Sequence, residues 1–286
     1  MSIITFINHE ENEAGQTLSA SAIAGIYGIE HAYKTLLVSV NRGDTKMESA
    51  FFKKSRLNIG NLMGGLMRPS NDTSNGVEGL LRMFSSNRVD ENVISTYARP
   101  ILRDRLDVLL PTKSKDLADF RNSGKFYPSL LDVANHVYDV VIADIDLDLG
   151  EDTVQSILDK SSIIIVCLNQ NPESIEKFAQ LKNADERYRK SNVLLGMGKC
   201  NPESRYSPKN ASRTLKEKDA PIIIPYNVNF ADECCDGNMV DFLLKAKSLH
   251  YTDRPDGYFY AVVKDGVERI DNIRKQVDFG LRKDVT

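Results

Sequence analysis

Gly15, Gln16 and Thr17 open a run of small and apolar residues at helical spacing, Leu18, Ala22, Ile23, Ile26 and Tyr27. The run follows a strand-like stretch from Ile3 to Ile7 that ends in Asn8. Strand, polar loop and helix start form a cradle for phosphate when the loop reads G-x-x-x-x-G-K-[ST]. Backbone N–H groups and one lysine then surround the anion. The second glycine, Gly15, and the hydroxyl, Thr17, are in place, but Glu10 stands at the first glycine position and Gln16 at the lysine position. A lysine about 4 Å from a phosphate oxygen gains roughly 4 kcal/mol at an effective dielectric near 20. Gln16 forfeits that gain, and Glu10, Glu11 and Glu13 bring negative charge to a place meant for an anion. The first N–H groups of a helix have no intrahelical partner and carry the positive end of its dipole. The expectation is that one of these glutamates caps the helix itself.

Several apolar runs must position this loop. Lys34–Val40, "KTLLVSV", follows the first helix, and Tyr138–Asp144, "YDVVIAD", ends in a carboxylate. Ser161–Leu168, Asn192–Cys200 and Ala220–Tyr226 alternate with helical patterns, as does "LDVLLP" at 106–111. Strands alternating with helices predict an α/β fold, a mostly parallel central sheet with helices on both faces.

Taken together, this order resembles the ParA/MinD family, the partition and positioning branch of the P-loop ATPases, over nearly the whole chain. The family loop K-G-G-x-G-K-[TS]-T falls on Glu11 to Leu18, and its "yDyviiDtpp" strand on Tyr138–Leu147, keeping Asp139 and Asp144. Its second strand ends "DxDPQ", where this chain has Ser39-Val40-Asn41-Arg42-Gly43, without either carboxylate. Its "iPyd" strand end is similar to Ile224-Pro225-Tyr226-Asn227. The resemblance implies an ATP site made by Gly15, Gln16, Thr17, Leu18, Pro225 and Asn227, if nucleotide binds, and a magnesium site at Thr17 and Asp144. The plainer reading of Thr17 and Asp144 is a helix first turn and a strand end. No catalytic residue is assigned, because Ser39 and Asn41 cannot act as bases at neutral pH. Both family lysines are replaced, by Gln16 and Glu11, so efficient ATP hydrolysis is not expected and no cofactor is required. Weak ATP/Mg binding through backbone N–H groups stays open.

The 286 residues, 41% of them hydrophobic, suffice for one sizeable α/β domain over 1–286. A net charge of −3 argues against a DNA-coating surface. No stretch approaches the ~18 apolar residues that span a bilayer, and "MSIITFIN" lacks a charged leader, so a cytoplasmic place is expected. Cys167, Cys200, Cys234 and Cys235 have no zinc-like spacing and read as free thiols.

Residues 42–75 break the rhythm as an irregular excursion, mixing Lys46, Lys53, Lys54, Arg56 and Arg68 with Phe51, Phe52, Leu62 and Met63. That mixture suits a membrane surface or a partner protein; the plainer reading is an amphipathic segment packing on the domain. Val267, Ile270, Ile273 and Val277 predict a C-terminal helix over 266–283, for docking on the protein's own body or for lipid. "YFYAVV" at 258–263 reads as a strand and turn or as the approach to that helix.

Three function classes follow. The first is a ParA/MinD-like protein with a degenerate ATP site, non-catalytic or weakly nucleotide-binding. It would position or assemble a machine, such as a pilus or secretion system, through protein contacts. Its partners would be an intact ParA-like ATPase, a membrane-machine component or a second copy. The alternative is an active plasmid or chromosome partition ATPase binding DNA non-specifically. The third is an unrelated α/β enzyme, for which no G-x-S-x-G or H-E-x-x-H motif is present.

Overall fold

Residues 2–10, 14–53, 76–86, 93–251 and 254–280 are described by the computed structural model of the chain. The first half runs β1 (Ser2–Ile7), α1 (Gln16–Glu30), β2 (Thr35–Val40), α2 (Lys46–Phe51), α3 (Val77–Ser85), α4 (Val93–Tyr97), β3 (Arg99–Leu102), β4 (Leu106–Leu109), α5 (Leu117–Gly124) and α6 (Tyr127–Val137). The second runs β5 (Val140–Ile145), α7 (Glu151–Lys160), β6 (Ile163–Leu168), α8 (Pro172–Ala184), β7 (Val193–Cys200), α9 (Pro208–Leu215), β8 (Ile222–Pro225), α10 (Val228–Asp236), α11 (Met239–Lys247) and α12 (Pro255–Asp278).

The strands form one sheet in the order β3-β4-β2-β5-β1-β6-β7-β8. β1 lies between β5 and β6 and pairs parallel with both. Only the edge pair β3–β4 is antiparallel. β3 is absent from the sequence reading, because a four-residue edge strand with half-exposed side chains carries little periodicity.

Every residue of β1, β2, β5 and β6 is buried, as a parallel sheet covered on both faces requires. Alternation divides the strands between two apolar layers. Ile4 and Phe6 join α1, α10, α11 and α12 in one layer. Ile3 and Ile7 join α3, α6, α7 and α8 in the other. Each such side chain contributes about 1.5–3 kcal/mol by leaving water, so the central strands are held from both sides.

The stretch 258–263 is helix, the first turns of α12, so of its two readings the strand and turn is overturned and the approach to the tail helix holds. Pro255 at the first helical turn fixes the start, and Phe259, Val263, Val267 and Ile270 recur on one buried face. Three adjacent aromatics and two valines gave local β character, but burial of that stripe against β8 and α1 decides the outcome. Asp271 and Asp278, which interrupt the basic character of the tail, are structural. Arg274 bonds Asp271 at 2.7 Å, Lys275 reaches Asp271 at 2.8 Å, and Ser2 donates to Asp278 at 2.8 Å. Arg274 also donates to the Ser2 hydroxyl at 3.4 Å, so its guanidinium and the Asp278 carboxylate tie the end of α12 to the start of β1.

In the excursion at 42–75, the described part includes α2, with Met47, Ala50 and Phe51 buried against the body. Residues 54–75 lie outside the described residues, as do 281–283 of the predicted tail helix and the loop residues Glu11 and Glu13. No helix among the described residues is long and apolar enough to cross a membrane.

Candidate functional site: the cavity over the phosphate loop

A cavity of about 890 Å³ opens over the carboxyl ends of β1, β2, β5, β7 and β8, lined among others by Asn8, Asn41, Ile145, Lys199 and Tyr226. Parallel sheets place ligands at that edge, where loops diverge and helix N-termini converge. Gly15 ends the loop in the left-handed region, φ 71°, where a Cβ is disfavoured, and α1 begins at the next residue.

The glutamate cap on α1 is not seen among the described residues: no side chain accepts from its first turn. Glu10 turns the other way. Its carboxylate accepts from Asn169 Nδ2 at 2.6 Å and from the Ser174 hydroxyl, tying the loop to the end of β6 and the start of α8. Those donors satisfy its lone pairs and hold the carboxylate toward α8, away from the first turn of α1.

Gln16 is held just as firmly. Its side-chain amide donates to the Phe6 carbonyl at 3.1 Å, the Ile145 carbonyl at 3.0 Å and Asp144 Oδ1 at 2.6 Å. Asn41, from the end of β2, donates to Asp144 Oδ2 at 2.6 Å and to Ser39 Oγ at 3.1 Å. The register of β2 on β5 puts Ser39 directly opposite Asp144. The Thr17 hydroxyl faces the same carboxylate and favours its charged form. Asp144 is fully buried. Burial pushes its carboxyl up to about 6, against the hydrogen bonds from Thr17, Gln16 and Asn41, which pull the other way.

Thr17 and Asp144 are therefore neighbours, as a magnesium site would need. Both oxygens of Asp144 accept amide N–H groups but keep further lone pairs, so a cation in direct contact would share the carboxylate with Gln16 and Asn41. Among the described residues no group of three or more histidine, cysteine, aspartate or glutamate side chains is arranged to hold a metal.

Gly15, Gln16, Thr17 and Leu18 all line the cavity. Pro225 and Asn227 do not; Tyr226 between them does, with Ala231, Cys234 and Cys235 of α10. Asn227 instead caps α10 by accepting from Phe230 N at 2.8 Å, and its amide donates to Asp256 at 2.9 Å. The opposite rim carries Asp146 and Asp148, and Arg42 pairs with Asp148 at 2.6 Å. Lys199 is the lining residue the sequence reading missed. Its signal was a single charged residue at the end of an otherwise apolar strand, where a parallel sheet faces its crevice.

No protein-family model matches the chain, and no curated protein does. Solved structures do match. A ParA family ATPase from Chlorobium tepidum superposes with TM-score 0.67 at 14% identity, covering 93% of this chain and 97% of that one. The chain has the ParA/MinD fold. A plasmid partition protein from Borrelia burgdorferi bound to AMPPNP matches at TM-score 0.57 and 18% identity, over 98% of this chain and 99% of that one. MinD of Aquifex aeolicus, in its complex with MinC, matches at 0.60 and 15%, over 95% and 96%. Identities this low establish the ParA/MinD fold alone. Within it, the cavity lies beside the central strand β1, whose loop reads as a phosphate loop from sequence.

Proposed function

We propose that this ParA/MinD-like chain is a positioning or assembly factor working through protein contacts, with an ATP site that is non-catalytic and at most weakly nucleotide-binding. The observation that carries the reading is the seat of Gln16. The side chain at the lysine position is consumed by Phe6, Ile145 and Asp144 at the base of the loop, and does not reach for a phosphate. Ser39 and Asn41 stand where the family's carboxylates would be, and Asn41 is occupied by Asp144. No side chain there can take a proton from water at neutral pH.

Support for a protein partner comes from the MinD neighbour, solved in complex with MinC. Support for a residual nucleotide site comes from the partition neighbour, solved with AMPPNP. A pilus or secretion machine is the class of cargo the reading favours, with an intact ParA-like ATPase as one candidate partner in the cytoplasm. The test is phosphate release with ATP and magnesium, beside isothermal titration of the same protein. No turnover and binding weaker than low micromolar are expected; turnover at rates typical of an ATPase sinks the reading.

A further inference from the structure

Gly198 lets β7 press against the phosphate loop. A Cβ there would fall 2.3 Å from the Ala14 carbonyl oxygen and 3.0 Å from Ser19 Oγ, so no other residue permits that approach. Lys199 follows with φ 52°, in the left-handed region, and its stem is laid across Gly15. A Cβ on Gly15 would lie 3.4 Å from Lys199 Cγ and 3.6 Å from Lys199 Cε. Cγ and Cε flank the glycine that opens α1, so the ammonium stands beside the helix start, on the cavity wall.

The other charges of the lining are engaged. Glu10 is bound by Asn169 and Ser174, Asp148 by Arg42, and Lys46 faces Asp44 at 3.9 Å. Asp146 accepts from the Asp148 N–H at 2.8 Å. Lys199 is exposed, with no ion pair or hydrogen bond among the described residues.

We propose that Lys199 replaces the missing loop lysine and makes this cavity a metal-independent site for a polyphosphate anion, with the ammonium arriving from β7 instead of from α1. The inference rests on the reading of the cavity as a weakened nucleotide site and supplies its remaining cation. An ammonium beside a helix N-terminus whose cap residue is Gly15, with no side-chain cap among the described residues, combines a full charge with the partial charge of the helix end. Gln16 and Asn41 share Asp144 between them, and the ammonium of Lys199 is the cation that the fold itself brings to the helix start.

Isothermal titration of the full chain with tripolyphosphate, ATP and adenosine, in EDTA, tests this. Lys199→Met is expected to weaken tripolyphosphate and ATP about tenfold or more and to flatten the dependence of binding on salt. Lys199→Arg retains affinity within a few-fold, and Lys209→Met, on the exposed face of α9, leaves it unchanged. Tighter binding of ATP than of tripolyphosphate assigns a nucleoside triphosphate; equal binding assigns polyphosphate alone. Equal affinity of wild type and Lys199→Met overturns the proposal, as does a wild type that binds neither anion in EDTA. Neither result touches the non-catalytic reading, which only turnover overturns.

Discussion

The side-chain amide of Gln16 lies 2.6 Å from one carboxylate oxygen of Asp144, and this contact joins the first turn of α1 to the end of β5. Asn41 takes the other oxygen at the same distance, so one buried carboxylate is held between two neutral amides from two different elements. Amides satisfy its lone pairs without neutralising its charge. Burial leaves the carboxyl easier to protonate than an exposed one, against the pull of those amides, and the pairing gives the loop a fixed base.

Removing the amide should loosen that base. Gln16→Ala leaves the Phe6 and Ile145 carbonyls and one oxygen of Asp144 without this donor. The expected loss is about 2 kcal/mol in urea denaturation, from buried acceptors left unpaired. A midpoint identical to wild type would mean that water replaces the amide without cost.

Asp144 predicts a pH dependence whose sign can be worked out. Its carboxyl titrates near 3.8 in the unfolded chain and near 6 in the folded one. Between those values the folded state binds more protons, so this group's contribution to stability falls as pH rises from about 4 to about 6. Its size is on the order of 3 kcal/mol. Asp144→Asn removes the titration. The difference in urea midpoint between wild type and variant should therefore change across that window and be flat above pH 7.

Arg274 is the clamp between α12 and β1. With Arg274 and Asp271 both buried, Arg274→Met leaves Asp271 only Lys275 as a charge partner. Breaking a buried pair from one side costs about 3–5 kcal/mol. Thermal melting should drop accordingly, and amide exchange should quicken along the last turns of α12 before the rest of the fold. A melting temperature within a degree of wild type would show that the pair contributes little.

Gly198→Ala tests the approach of β7 to the loop. The added methyl meets the Ala14 carbonyl and Ser19 Oγ, and one of them has to move. Overpacking of this kind costs about 1–3 kcal/mol. The effect should appear as faster amide exchange at Ala14 and Gly15, with β4, on the far side of the sheet, unchanged. Unaltered exchange at the loop would count against the close contact.

How much of this was legible in the sequence differs from element to element. The buried strands β1, β2, β5, β6 and β7 stood out as apolar runs, since both faces of a parallel sheet exclude polar residues. The placement of Thr17 beside Asp144 was implied only by the family resemblance, and the parallel pairing of β1 with β5 brings them together. The edge strand β3 and the start of α12 were not legible. A short half-exposed strand has little pattern, and "YFYAVV" suits a strand until a second layer exists for its helical stripe to bury against.

The sequence by itself determined that a strand, a loop and a helix meet at Gly15 with no lysine among them, because those are facts of residue type and local spacing. Only the tertiary structure decided where the charges of that loop go. Glu10 is drawn to Asn169 and Ser174, 159 and 164 residues away, and Lys199 is laid across Gly15 from a strand late in the chain. Side-chain direction depends on which donors and backbones a fold brings within a few ångströms, and sequence separation carries no measure of that distance.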